Sequence, residues 1–396
     1  MTTLRRRATL LAATVVLAGC TGQPILANPP QAFPTVPPAP PAPAPPADPI
    51  PVVLPRDDGP HDRLTEWWYY TGHLATAGGR RFGFEAVIFR AERGDVPITW
   101  ASHLALSDES GKRFLYGQRS EVGPQVDRSP RGPDGATTGF DLAVGGPASP
   151  GLDGRIDPTA TPWRLAGANG SDRIEAALSA TEASVGGGVA GPLSFGLDLA
   201  LETTKPPALH DGDGWIEFGR AGGSYYYSRT RLAVEGELTL GQEVFPVTGI
   251  AWFDHQWGDF ISVGGGGWDW FAINLDDGRD LTISVVREVS GDPVLQYGTL
   301  IAADGSVRHL GASDFSVEPG ASWLSLRTQR RYPIEWTIER AIEVPLSLRA
   351  TVDDQELDTR ATTGVVYYEG SHDVRGDQGS ALVTGQAYVE ITRYGP

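Results

Sequence analysis

The sequence predicts an all-β protein with two antiparallel barrels or sandwiches in tandem, and three observations carry that expectation. Its 396 residues include 50 glycines and 32 prolines, so turn formers interrupt any long helical pattern. From about position 58 the chain runs in short stretches that alternate apolar and polar residues. Asp-Gly pairs at Asp277-Gly278 and Asp304-Gly305 separate such stretches, as hairpin turns do. The length suits two domains.

The N-terminus reads differently. Three arginines at 5–7 precede the apolar run "ATLLAATVVLAGC", which ends at Cys20, the chain's single cysteine. That run is too short to span a bilayer and has the layout of a secretory signal. Leu17-Ala18-Gly19-Cys20 resembles a bacterial lipobox. Residues 1–19 are therefore expected to be a lipoprotein signal peptide, with Cys20 the lipid attachment point. The chain is then exported and held on the outer side of a bacterial membrane; an ordinary cleaved signal is the alternative.

Residues 21–55 hold 14 prolines, so 20–57 reads as a spacer of polyproline II character that cannot bury a core. A single cysteine excludes intrachain disulfides. The net charge, 32 − 49 = −17, repels phosphate backbones and argues against a nucleic-acid partner.

Within the ordered part, "RFGFEAVIF" places Phe82, Phe84, Ala86 and Ile88 on one face of a strand. "AINLDDGRDLTISVV" and "LIAADGSVRHL" read as hairpins, while "RIEAALSATEASV" at 173–185 fits a helix or a strand. The break in pattern at "GDFISVGGGG" divides the chain into an N-terminal domain, 58–260, and a C-terminal domain, 261–396.

The same alternation sorts the residues that can carry chemistry. In "AWFDHQWGDF" it puts Ala251, Phe253, His255 and Trp257 on one face, with Ile250, Trp252, Asp254 and Gln256 on the other. In "GWDWFAINL", Asp269 shares a face with Phe271, Ile273 and Leu275. A carboxylate there is costly to ionise unless a cation or donors compensate. In "LTEWWYYTGHLA", Glu66 lies with Trp68, Tyr70 and Leu74, and Thr65 with Trp67, Tyr69 and His73.

Two carboxylates and a histidine among large aromatics suit acid–base chemistry on an apolar substrate. Equally, such groups satisfy backbone partners in a packed core. His103 is expected to be packed, Tyr225, Tyr226 and Tyr227 divide between two faces, and Glu369 and His372 suit a cavity rim or a solvated turn. No His-Glu-x-x-His, cysteine pair or calcium loop is present, so neither a metal nor a cofactor is expected; Gly-x-Ser-x-Gly is absent too.

Taken in order, "TEWWYYTGHL", "GRRFGFEAVIFR", "FDHQWGDF", "GWDWFAINLDDGRDL" and "GQAYVEITRYG" resemble the secreted, lipocalin-like relatives of carotenoid 1,2-hydratase. The resemblance implies two lipocalin-like β-barrel domains and a cofactor-free addition of water to a carbon–carbon double bond of an isoprenoid-like molecule. Alternation and the resemblance together give the expectation that His255, Asp269 and Trp257 are catalytic, with His255 facing Asp269 across one pocket and Asp254 holding the strand end. Glu66, Trp68, Tyr70, Trp268 and Trp270 are then expected to line the substrate. The competing reading is a non-catalytic carrier for an apolar ligand at the cell envelope.

Overall fold

The computed structural model describes residues 48–392, except 153, 187–190, 192, 261–264 and 379–380. The signal peptide, Cys20 and most of the spacer lie outside these residues. Among the described residues the regular structure is β-strand with four short 3₁₀ turns, and 171–178 is a strand rather than a helix. No described helix is long and apolar enough to cross a membrane.

The strands form two large curled antiparallel sheets, matching tandem lipocalin-like half-barrels. In the first sheet, strand Thr65–Ala75 sits between Glu243–Gly258 and Arg81–Arg93. In the second, Gly265–Leu275 sits between Asp280–Glu288 and Ala381–Thr392. The hairpin at Asp277-Gly278 forms as expected, with Gly278 at φ 89°, a backbone region that favours glycine.

Strand alternation then separates three apolar layers. Trp68, Tyr70, Phe253 and Trp257 fill the inside of the first sheet. Phe271, Ile273 and Leu275 fill the inside of the second. Tyr69, Val87, Trp252, Trp270 and Tyr388, which point the other way, pack the sheets against each other. Each such aromatic, once fully buried, contributes roughly 1.5–3 kcal/mol, so both faces of the central strands are committed.

Candidate active site

Register places the first group of polar residues. Strand Thr65–Ala75 pairs with Glu243–Gly258 so that Trp68 lies opposite His255 and Glu66 opposite Trp257. The segment preceding that strand, residues 48–64, then folds back over this end of the sheet. Ile50 N donates to the Tyr225 hydroxyl at 2.7 Å, and that hydroxyl donates to Asp48 Oδ1 at 2.7 Å. Val52 and Leu54 pack on the first core.

This strap delivers His61. Its Nδ1 lies 2.7 Å from Glu66 Oε1, and His255 Nε2 lies 2.9 Å from the same oxygen. The other carboxyl oxygen accepts the His61 backbone N–H at 2.9 Å. On the far side of the ring, His61 Nε2 faces Asp57 Oδ1 at 3.5 Å, and Arg56 pairs with Asp57. The result is a continuous chain, Asp57–His61–Glu66–His255.

Aromatic rings wall it. His61 stacks on Trp257 with centroids 4.1 Å apart, and His255 stacks on Trp68 at 4.7 Å with Tyr227 edge-on at 5.5 Å. Glu66 and His255 are fully buried, whereas the His61 side chain is 20% exposed and forms the outer edge. His255 Nδ1 is buried and has no hydrogen-bond partner among the described residues.

Charge follows from these contacts. Burial alone would raise Glu66, but the His61 and His255 imidazoles hold it below the usual carboxylate range. Burial opposes a proton on His61, yet Glu66 and Asp57 outweigh it and raise the ring. Burial wins at His255, which is held below the usual imidazole range despite Glu66. A proton therefore prefers His61, and His255 is the neutral ring.

Beneath this chain the aromatics are tied down. Trp68 Nε1 donates to the Asp58 carbonyl at 2.9 Å, Tyr227 donates to the Asp58 carboxylate, and Arg229 pairs with that carboxylate at 2.6 Å. Tyr70 donates to Asp172 at 2.8 Å. Trp68 and Tyr70 thus sit in the wall and floor with their polar atoms already engaged.

Asp269 is elsewhere. It lies inside the second sheet, where Arg287 Nε and Nη2 reach its Oδ2, each at 2.7 Å. Arg287 is the cation that the sequence argument required. The expected facing of His255 and Asp269 is therefore corrected: alternation was right for each strand, but the two strands belong to different sheets and their inner faces enclose different cores. Trp270 points into the layer between the sheets, donating to the Tyr226 hydroxyl at 3.1 Å, and Trp268 packs at the edge of that layer.

Asp254 also lies between the sheets instead of holding a strand end. Tyr226, Ser228 and Trp252 all donate to it, and burial leaves its carboxyl raised to about 6 against those donors. His103 is packed there as expected, its Nδ1 2.7 Å from the Tyr367 hydroxyl.

Glu369 and His372 are neither rim nor turn; both are fully buried in strand Val366–Gln378. Tyr367 donates to Glu85 at 2.8 Å, and burial with the nearby Glu390 pushes Glu85 up to about 8. Glu369, facing Glu85, is raised well above the carboxylate range by burial and by its acidic neighbours.

With this geometry in hand, the chain can be placed. A family model described as AttH-like matches residues 45–394. The chain belongs to the AttH-like family.

A crystal structure of a putative AttH from Nitrosomonas europaea resembles this AttH-like protein with a TM-score of 0.70 and 29% identity, covering 89% of this chain and 100% of that one. Kievitone hydratase from Nectria haematococca shares the fold at a TM-score of 0.60 and 16% identity, covering 87% and 93%. CghA, solved with Sch210972, does so at 0.50 and 12%, covering 84% and 89%. A search of curated proteins gives no match. The relationship expected from the sequence, to lipocalin-like proteins of the carotenoid hydratase type, agrees with the family and with these folds.

His61 and Asp57 were not singled out from the sequence. They precede the first strand, where alternation is silent, and only the return of the strap brings them to Glu66. The three groups that converge, His61, Glu66 and His255, are separated by 5 and 189 residues, so no short motif signals them.

Proposed function

We propose that this AttH-like protein carries out acid–base chemistry on a lipophilic, isoprenoid-like molecule at the strap-covered end of its first sheet. One observation carries the reading: a fully buried imidazole whose Nδ1 has no partner among the described residues, backed through Nε2 by a carboxylate shared with a second imidazole. His255 Nδ1 is the base, since a proton gained there is stabilised by Glu66. His61 is the acid, held in its charged form between Glu66 and Asp57. Trp257 and Trp68 offer π faces to a developing cation.

Addition of water to a double bond uses these three parts together: a proton goes from His61 to carbon, water adds to the cation, and His255 takes the proton from that water. One protein sharing the fold is named a hydratase, which agrees with this choice. Two open depressions, of ≈ 720 Å³ near Arg327 and ≈ 560 Å³ near Arg287, lie away from the chain of residues, and the substrate approaches it at the outer edge, where the His61 side chain is 20% exposed.

The test is conversion of lipophiles extracted from the producing cells, followed by mass spectrometry. Wild-type protein is expected to shift a substrate by the mass of water, and His255→Ala and Glu66→Gln to slow this by about 100-fold or more. A ligand recovered unaltered from active-site-intact protein supports the carrier reading and contradicts this one.

In the same proposal the protein is exported and lipid-anchored through Cys20, with the proline-rich spacer holding the domains off the membrane. The lipobox and the spacer composition support it. Cys20→Ser is expected to move the protein from the membrane to the soluble fraction; unchanged partitioning would overturn the anchor.

A further inference from the structure

We propose that His61 Nδ1, Glu66 Oε1 and His255 Nε2 also form a binding site for a divalent transition-metal ion of the zinc class. The inference rests on the same site as the acid–base reading and describes a second, metal-bound state of it, in which His61 no longer holds the proton and His255 Nδ1 is no longer bare. The three ligand atoms lie within 4.8 Å of one another, converging from the strap and from two paired strands. Two imidazole nitrogens and one carboxylate oxygen are a set that zinc takes, leaving a fourth position for water.

The supporting contacts are those of a metal site. A ligating imidazole is commonly oriented by a carboxylate on its other nitrogen, and Asp57 stands 3.5 Å from His61 Nε2. A ligating carboxylate is fixed by its second oxygen, and Glu66 Oε2 is held by the His61 N–H at 2.9 Å.

Binding replaces shared protons. The 2.7 and 2.9 Å contacts open to about 3.3 Å, the spacing of ligands around a tetrahedral ion with bonds of about 2.0–2.1 Å. The proton between His61 and Glu66 is released to solvent, and that of His255 moves to Nδ1.

Cobalt(II) is the probe. Chelator-treated protein titrated with cobalt is expected to bind one equivalent with the visible bands of a tetrahedral nitrogen–oxygen site. His61→Ala, which truncates a partly exposed ring and spares the fold, and His255→Ala should each lose at least 10-fold in affinity, with near-ultraviolet circular dichroism confirming folding. Only hydrated cobalt, or equal binding by both folded variants, overturns the site. Metal content is the readout, so a chain that binds cobalt but converts nothing when metal-free contradicts the acid–base reading alone.

Discussion

Glu66 and Glu85 are both fully buried carboxyls on neighbouring strands, yet one is held as an anion and the other as an acid. Glu66 points into the first core, where two imidazoles share its Oε1. Glu85 points between the sheets, where a tyrosine hydroxyl donates to it and Glu369 and Glu390 repel its charge. Burial is common to both. What differs is the supply of cations, and that decides which region can pass a proton and which can only keep one.

Removing the paired carboxylate should have the largest effect. Glu66→Ala leaves the buried His255 ring and the partly exposed His61 ring without their acceptor and is expected to cost about 3 kcal/mol of stability in urea unfolding. A cost below about 1 kcal/mol would mean that the pairing is idle.

The unpaired region should instead declare itself through pH. Glu85 is raised in the fold from the ordinary 4.5 to about 8, so its contribution is fully present below about 4.5 and is lost as pH rises through about 8. Tyr367, Tyr69, Glu369 and Glu390 face it, and His103 bonds to Tyr367; none of the rings supplies a cation, since burial holds His103 down at about 3. Stability should therefore decline from pH 6 to 9, and Glu85→Gln should flatten the decline. An unflattened curve would place the proton elsewhere.

The smallest change is expected at Glu369, which burial and its acidic neighbours raise well above the carboxylate range, beside the Tyr69 hydroxyl. Glu369→Gln exchanges one neutral group for another of the same shape and should alter stability by about 1 kcal/mol or less. A loss comparable to that of Glu66→Ala would erase the contrast between the regions.

Much of this was legible in the sequence because a strand has a period of two. Alternation grouped Glu66 with Trp68 and Tyr70 on one strand and His255 with Trp257 on another, and in the structure all five are buried, with Trp68, Tyr70 and Trp257 in the first core. It also separated Asp254 from His255. Which faces meet was not legible, because sheet membership depends on pairings between distant strands. Asp269 was therefore given the wrong partner, while Arg287, one hairpin away, went unnoticed. The strap was read partly as spacer: its prolines disguise the segment that brings Asp57 and His61 to the site.

The most direct test is nitrogen-15 NMR of the imidazoles in metal-free protein across pH 5–8. The account predicts that His61 titrates at higher pH than His255, and that neutral His255 carries its proton on Nε2 with Nδ1 bare. The reverse order, or a His255 proton on Nδ1 in the metal-free chain, would contradict it.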